Sequence, residues 1–276
     1  MNWFEALDPG ALRAGLVGTR YPARLHHFAT AESTNALLLE AAANGAPEGT
    51  LYLADAQTQG RGRGGNAWHS SPGDGLYLSV LTRIPLPLQR ALWISLATGL
   101  AVQSGIAMST GLHADIRWPN DLMLSAAGGA PVAGPAKKVG GILVEAAVNP
   151  GPEALLRYAV IGIGLNINHE KFPPELESVA TSLAIASGGR QSRNALLIAI
   201  LRCLDQELTQ LAQSEPDLLR RFAESSTWVC GKRVQVAEQG GYRGVTAGLN
   251  ADGYLLVRAE DGTERTVISG GVREVL

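Results

Sequence analysis

Hydrophobic and polar positions change period several times along the chain, and each change predicts an element. Residues 1–23 read as a short helical lead carrying Leu7, Leu12 and Leu16. Residues 24–29 read as a strand. Ser33-Thr34-Asn35 then precedes an alanine- and leucine-rich helix over 36–43 that closes at Asn44-Gly45. A hydroxyl at the start caps free amides, and a glycine beyond the end accepts the left-handed turn. Residues 50–56 and 76–81 are apolar enough for buried strands, with a glycine-rich loop, 57–75, between them. Over 87–109, Leu92, Leu96, Leu100 and Ile106 recur near helical spacing. Two extended pieces, 115–118 and 121–124, flank a turn at Pro119-Asn120. Strong strands follow at 138–148 and 157–168, then a long helix at 194–213 and a shorter one at 217–224.

From Val229 the texture changes to short alternating runs at 233–237, 243–249, 254–259 and 264–268, separated by Gly-, Asn- and Asp-rich turns. Such spacing predicts a small antiparallel β-barrel of about 45 residues. The expected organisation is therefore an α+β unit with a mixed sheet over 1–228, followed by a small all-β domain over 229–276.

Composition removes several functional classes. Apolar residues make up 46% and charged residues 17%, and 33 of 276 residues are glycine, which excludes disorder for the bulk of the chain. The 23 basic and 25 acidic residues leave a net charge of −2 with no block of like charges, so a dedicated nucleic-acid binder is not expected. Cys203 and Cys230 form no disulfide framework and no CxxC pair. The first eight residues include Glu5 and Asp8 and lack a basic region before an apolar core, so no signal peptide is expected and the compartment is the cytoplasm. Residues 91–112 carry no charge and are long enough to span a bilayer, but Ser95, Thr98, Gln103 and Ser104 interrupt them. A buried amphipathic helix is expected there, and no membrane partner.

Candidate chemistry gathers in four segments. Gly60-Arg61-Gly62-Arg63-Gly64-Gly65 matches GxGxxG after a strand, yet no helix opens behind it and no acid stands about 20 residues on, so the dinucleotide reading fails. Either this is a solvated surface loop, or its glycine amides and two guanidiniums receive phosphate. Trp118-Pro119-Asn120-Asp121 is either a turn with a buried Trp or a strand end presenting Asn and Asp to a site. Lys137 and Lys138 are adjacent at the start of an apolar strand and point to opposite faces. They are two exposed edge lysines, or one points inward and requires an anion. Gly162-Ile163-Gly164-Leu165-Asn166-Ile167-Asn168 sends its asparagines to one face, as a site wall or a hydrogen-bonded strand end. No GxSxG, HExxH or Walker pattern occurs, so a nucleophile-elbow hydrolase and a protein-held zinc site are not expected. His169-Glu170 reads as an exposed strand-end pair, Cys203 as core, and 125–136 as a flexible surface loop.

Taken in order, these motifs resemble those of the biotin–protein ligases. The resemblance is carried by Glu32-Ser33-Thr34-Asn35, by Gln57-Thr58-Gln59 with the glycine loop and Trp68, and by Arg117-Trp118-Pro119-Asn120-Asp121. Lys138-Val139-Gly140-Gly141-Ile142-Leu143-Val144-Glu145 and Gly162-Ile163-Gly164-Leu165-Asn166 complete the set. It implies a class II synthetase-like, biotin–lipoyl ligase type catalytic domain followed by an SH3-like barrel. It further implies an AMP-forming reaction in two steps. Biotin and MgATP give biotinyl-5′-adenylate, and the biotinyl group passes to a lysine of the biotin carboxyl carrier protein of acetyl-CoA carboxylase. Mg2+ would come with ATP and not be held by protein alone, and the chain would be a monomer or homodimer.

By the same resemblance Arg63, Lys138 and Asp121 are the expected catalytic residues. Ser33, Thr34, Asn35, Gln57, Arg61, Gly62, Lys138 and Gly141 would bind biotin. Gly60, Arg61, Arg63, Trp68, Asn120 and Asn166 would bind ATP or the adenylate. The chain departs from the family at Gly64 and Asn66, where arginines are usual, and at Arg117, where lysine is frequent. Only about 30 residues precede Ser33, too few for the winged helix with which some family members repress transcription, so no repressor role is expected. The rivals are a lipoate ligase or octanoyl transferase, against which the glycine-arginine loop and the C-terminal β-domain weigh, and a biotin sensor without catalysis.

Overall fold

The computed structural model describes residues 5–125, 136–149, 151, 154–213, 217–238, 240–269 and 271–275. Most of the expected loop at 125–136, and the first four residues of the helical lead, lie outside them. Through the first 228 residues the strands are β1 (Leu25–Phe28), β2 (Leu51–Ala54), β3 (Gly75–Thr82), β4 (Asp115–Arg117), β5 (Asp121–Leu124), β6 (Lys137–Val148) and β7 (Leu156–Asn166). The helices are α1 (Pro9–Gly15), α2 (Thr34–Ala43), α3 (Leu92–Thr110), α4 (Pro174–Glu177), α5 (Leu183–Ser187), α6 (Arg193–Ala212) and α7 (Leu218–Ser225).

The seven strands form one sheet in the order β1-β2-β3-β7-β6-β5-β4. β1 and β2 run parallel, joined through α2, and the other neighbours are antiparallel. This is the mixed sheet expected from the sequence. Alternation sorts the two faces: Leu76, Leu78 and Val80 of β3 and Ile161, Ile163 and Leu165 of β7 join the main core with α3 and α6. The opposite face receives Ser79, Gly162, Gly164 and Asn166, and α2 covers one end of it through Leu38 and Ala42 against Leu81, Tyr158 and Val160. The α2 start is as read: Ser33 is the N-cap, with its Oγ accepting from the Ala36 amide, and Gly45 beyond the end has φ +91°.

α3 differs from expectation in one respect. Residues 93–102 are buried without interruption, so this half of the helix has no solvent-facing side; only beyond it do Ser104 and Met108 reach the surface. It and its preceding turn, residues 88–110, are long and apolar enough to cross a membrane, but 67% of the most apolar 18-residue stretch is buried in this fold. A helix apolar all round is a core helix when protein covers it. Gly105 lets α6 approach, since a Cβ there would lie 2.7 Å from the Ile200 Cα.

The C-terminal strands are β8 (Cys230–Val236), β9 (Tyr242–Leu249), β10 (Leu255–Ala259), β11 (Glu264–Val267) and β12 (Val272–Glu274). They form an antiparallel sheet ordered β11-β10-β9-β8-β12, consistent with the expected SH3-like unit. Among the described residues no pairing joins β11 to β12, so the sheet is not a closed barrel. β12 escaped the sequence reading because three residues are too short for alternation to register. Val234, Val236, Leu255, Val257, Val267 and Val272 pack into the same core as α3. The Trp118 indole donates to the Gly253 carbonyl at 2.9 Å, joining the Trp-Pro-Asn-Asp turn to this second sheet.

Candidate active site

Two stems hold the glycine loop. Arg193 is fully buried at the start of α6; its Nη2 lies 2.8 Å from Asp55 Oδ1 and its Nε donates to the Gly75 carbonyl at 3.0 Å. Asp55 precedes the loop and Gly75 ends it, so one guanidinium pins both ends. Within the loop, Trp68 N donates to the Gly60 carbonyl and Gly62 N to the Asn66 carbonyl. The segment 63–65 makes a single turn in which Gly64 adopts φ +68°, a conformation that costs other residues.

Which lysine faces the site is decided by a β-bulge. Pairing of β5 with β6 shifts between Leu122 and Met123, so that Gly140 faces Leu122 and Lys138 faces Met123. Val139 is the extra residue and is buried in the core. Lys138 and Gly141, three apart, therefore share the site face: a Cβ on Gly141 would lie 3.1 Å from the Lys138 Nζ. Lys138 Nζ meets Asp121 Oδ1 at 2.6 Å, and Arg117 Nη2 meets Asp121 Oδ2 at 2.5 Å. Burial pushes the Asp121 carboxyl up, but Lys138 and Arg117 together hold it below the usual carboxylate range. Asp121 is thus an anion that fixes two cations. Arg63 carries no side-chain hydrogen bond among the described residues. Burial pulls its guanidinium below the usual arginine range, while Asp121 and Glu238 oppose that pull, and it stays charged at neutral pH.

Between loop and sheet lies a cavity lined by eleven of the fourteen expected site residues: Ser33, Thr34, Asn35, Gln57, Arg61, Gly62, Arg63, Trp68, Asn120, Lys138 and Gly141. Its wall is a chain of hydrogen bonds. Gln57 Oε1 accepts from the Thr34 amide at 2.8 Å and lies 3.2 Å from the Thr34 hydroxyl oxygen. Ser79 Oγ, wholly buried on β3, lies 2.8 Å from Thr34 Oγ1 and 2.6 Å from Asn35 Oδ1. Asn35 Nδ2 donates to Glu145 Oε2 at 2.9 Å. With the loop in this position the cavity volume is about 40 Å³, room for a few water molecules. The Trp68 ring fills the rest: a Cβ on Gly164 would lie 2.6 Å from it, and one on Gly141 3.2 Å. Glycine at both positions makes that seat.

Comparison with known proteins bears on what such a cavity serves. The model of the Biotin/lipoate A/B protein ligase family matches residues 28–166, half of the chain, and the Biotin protein ligase C terminal domain matches 229–272. The chain belongs to the biotin/lipoate A/B protein ligase family. The ligase is 33% identical over 271 residues to the biotin--[acetyl-CoA-carboxylase] ligase of Mycobacterium tuberculosis, covering 96% of this chain and 94% of that protein. It is 32% identical over 262 residues to the bifunctional ligase/repressor BirA of Bacillus subtilis, covering 94% and 77%. Among solved structures it resembles the biotin protein ligase from Aquifex aeolicus in complex with biotin and ATP, with a TM-score of 0.74, 26% identity, and coverage of 91% and 99%.

Three expected site residues of the ligase stand outside the cavity. Asp121 lines an adjoining cleft with Arg63, Asn66, Lys138 and Arg273 of the second sheet. Asn166 lines another, with Trp68, Phe172, Val179 and Trp228, and spends its amide on the Thr181 carbonyl at 3.1 Å. Gly60 faces inward: a Cβ there would meet the Trp68 carbonyl at 2.8 Å, so it shapes the loop. Asn168 bonds Gln191, making it a hydrogen-bonded strand end.

His169 corrects an expectation. It is 1% exposed, stacked on Phe172 at 5.2 Å, and burial drives its pKa down to about 4. The sequence placed it at a strand end but could not show that 170–182 folds back over it; the Ser182 hydroxyl donates to its carbonyl. Sequence reasoning also missed Ser79 and the role of Glu145. A serine amid seven other buried residues of β3 was the available signal for the first.

Proposed function

We propose that this chain joins biotin to ATP, giving biotinyl-5′-adenylate and pyrophosphate, and then passes the biotinyl group to a lysine of a biotin carboxyl carrier domain. The observation that carries the reading is the junction of a small polar-walled cavity with a cationic cleft at Lys138 and Arg63, which line both. In the first step a biotin carboxylate oxygen bonds to the α-phosphorus, and the bond to the pyrophosphate oxygen breaks. The carboxylate is already a nucleophile, so no base is required. What is required is cancellation of repulsion between two anions and in-line placement. Lys138, oriented by Asp121, and Arg63, with its fork unspent, supply the charge. In the second step the acceptor amine bonds to the carbonyl carbon, the bond to AMP breaks, and the amine proton goes to solvent. With its pKa held low by two cations, Asp121 is a poor base for that amine; it serves to orient.

Ser33, Thr34, Gln57 and Gly141 surround the space suited to a fused ureido ring, which offers one acceptor and two donors. The cleft between Trp68 and Phe172 has the apolar walls that an adenine requires. The carboxylates nearest the site, Asp121 and Glu145, are engaged by cations and amides, and no cluster of three metal-ligating side chains occurs among the described residues. This donor set fits Mg2+ arriving on the ATP phosphates as part of the substrate. The C-terminal match at 229–272 favours biotin over lipoate.

The test is labelling of a carrier domain with biotin and MgATP, followed by blotting, with free lipoate as competitor. Wild type labels the acceptor lysine and lipoate does not compete. Arg63→Ala and Lys138→Ala each lose about 10²–10³-fold in rate, and Arg63→Lys is impaired because the bidentate fork is lost. Full activity in both alanine variants refutes the assigned roles.

A further inference from the structure

Glu145 has no role in the reaction just described, yet it touches both halves of the cavity. Its Oε2 accepts from Asn35 Nδ2 at 2.9 Å and from Arg61 Nη2 at 3.1 Å. Asn35 begins the chain: its Oδ1 accepts from the Ser79 hydroxyl, Ser79 Oγ accepts from the Thr34 hydroxyl, and the Thr34 backbone amide donates to Gln57. Gln57 and Arg61 lie four residues apart at the entry to the glycine loop. The contacts therefore close a circuit: Gln57, Thr34, Ser79, Asn35, Glu145, Arg61, and back along the backbone to Gln57. Four of its members, Thr34, Asn35, Gln57 and Arg61, line the cavity.

Donor and acceptor logic gives the circuit a direction. A carboxylate only accepts, and so does the Leu143 carbonyl, to which Asn35 Nδ2 also donates at 3.3 Å. The Asn35 amide must then turn its NH2 to β6 and its oxygen to Ser79. The same carboxylate oxygen carries the only charge in the circuit that attracts Arg61.

We infer that Glu145 is a positioning residue for biotin recognition, tying the glycine loop through Arg61 to the hydrogen-bonded wall so that both are ordered together. This rests on the biotin reading above. Without the tie, the loop must be ordered against the wall on each biotin-binding event, so the cost falls on biotin, which wall and loop enclose; Arg63 and Lys138, the cations assigned to the phosphates, are not in the circuit.

Biotin-dependent ATP–pyrophosphate exchange tests it on the full chain. Glu145→Gln keeps an oxygen for Asn35 and removes the pull on Arg61. The expected result is a roughly fivefold higher KM for biotin, the upper range for a partly exposed ion pair, with the KM for ATP unchanged. Arg61→Gln raises the biotin KM at least as far, and the double variant is no worse than Arg61→Gln alone; the ATP KM is read in Glu145→Gln only, because Arg61 is itself expected at the phosphates. The wild-type biotin KM rises more steeply with salt than that of Glu145→Gln, which keeps Lys138 and Arg63 but lacks the Arg61 ion pair, a difference that a merely structural role would not produce. Additive effects of the two substitutions, equal changes in the two KM values of Glu145→Gln, or identical salt dependence overturn the inference while leaving the ligase reading intact. Absence of exchange in the wild type overturns both.

Discussion

Gly162→Ala places one methyl group against the cavity wall. On β7, Gly162 pairs with Ser79 on one side and Leu143 on the other. A Cβ there would lie 2.3 Å from Asn35 Oδ1 and 2.9 Å from its Cγ. Reaching an ordinary contact near 3.5 Å requires Asn35 to retreat by about 1 Å. Asn35 is 4% exposed and tied at 2.6 Å to Ser79 and 2.9 Å to Glu145. A retreat of that size takes both bonds beyond hydrogen-bonding distance. Overpacking of this kind costs about 1–3 kcal/mol, and if biotin binding carries all of it, the biotin KM rises roughly 5- to 150-fold. Shared with folding, the same cost lowers Tm by about 2–10 °C. The measurement is pyrophosphate exchange against biotin and against ATP, with Tm alongside. Gly189→Ala is the control, since nothing lies within 4 Å of a Cβ there and its φ is not positive. A wild-type biotin KM and Tm in Gly162→Ala would refute the wall geometry.

Two further outcomes are expected. Asn66→Arg restores a cation to the cleft beside Arg63 and slows release of biotinyl-adenylate roughly tenfold, the value of one charge-assisted hydrogen bond; unchanged release would show that a cation at this position does not set how long the adenylate is held. Gly64→Arg is the poorer restoration, because Gly64 sits at φ +68°. His169 makes the fold acid-sensitive. Its folded pKa is about 4, below that of the unfolded chain near 6.5, so the unfolded state binds the extra proton between those values. Stability is therefore full above pH 6.5 and falls by about 3 kcal/mol as pH drops to 4. Around it Asp74 favours the charged form and His69 opposes it. His169→Gln should flatten the dependence of Tm on pH over that window, and an unaltered slope would show that other groups carry it.

The elements were legible in the sequence because their signals are local. Ser33 and Gly45 mark the ends of α2, Pro119-Asn120 marks the β4–β5 turn, and alternation on β7 separates Ile163 and Leu165 from Gly164 and Asn166. The order of motifs along the chain was enough to name a family and to nominate eleven residues that converge on one cavity. What the sequence left open required three dimensions. Lys137 and Lys138 are chemically identical, and a bulge at Val139, fixed by pairing with β5, decides which one meets Asp121. His169 looks exposed until the following segment folds over it. Glu145 looks like the polar end of an apolar strand, and only the approach of Asn35 from α2 and Arg61 from the loop, 110 and 84 residues away in sequence, gives it partners. Periodicity reports which face a residue takes within its own element. Register, burial and ionic partnership depend on contacts between elements, and those exist only once the sheet has been assembled.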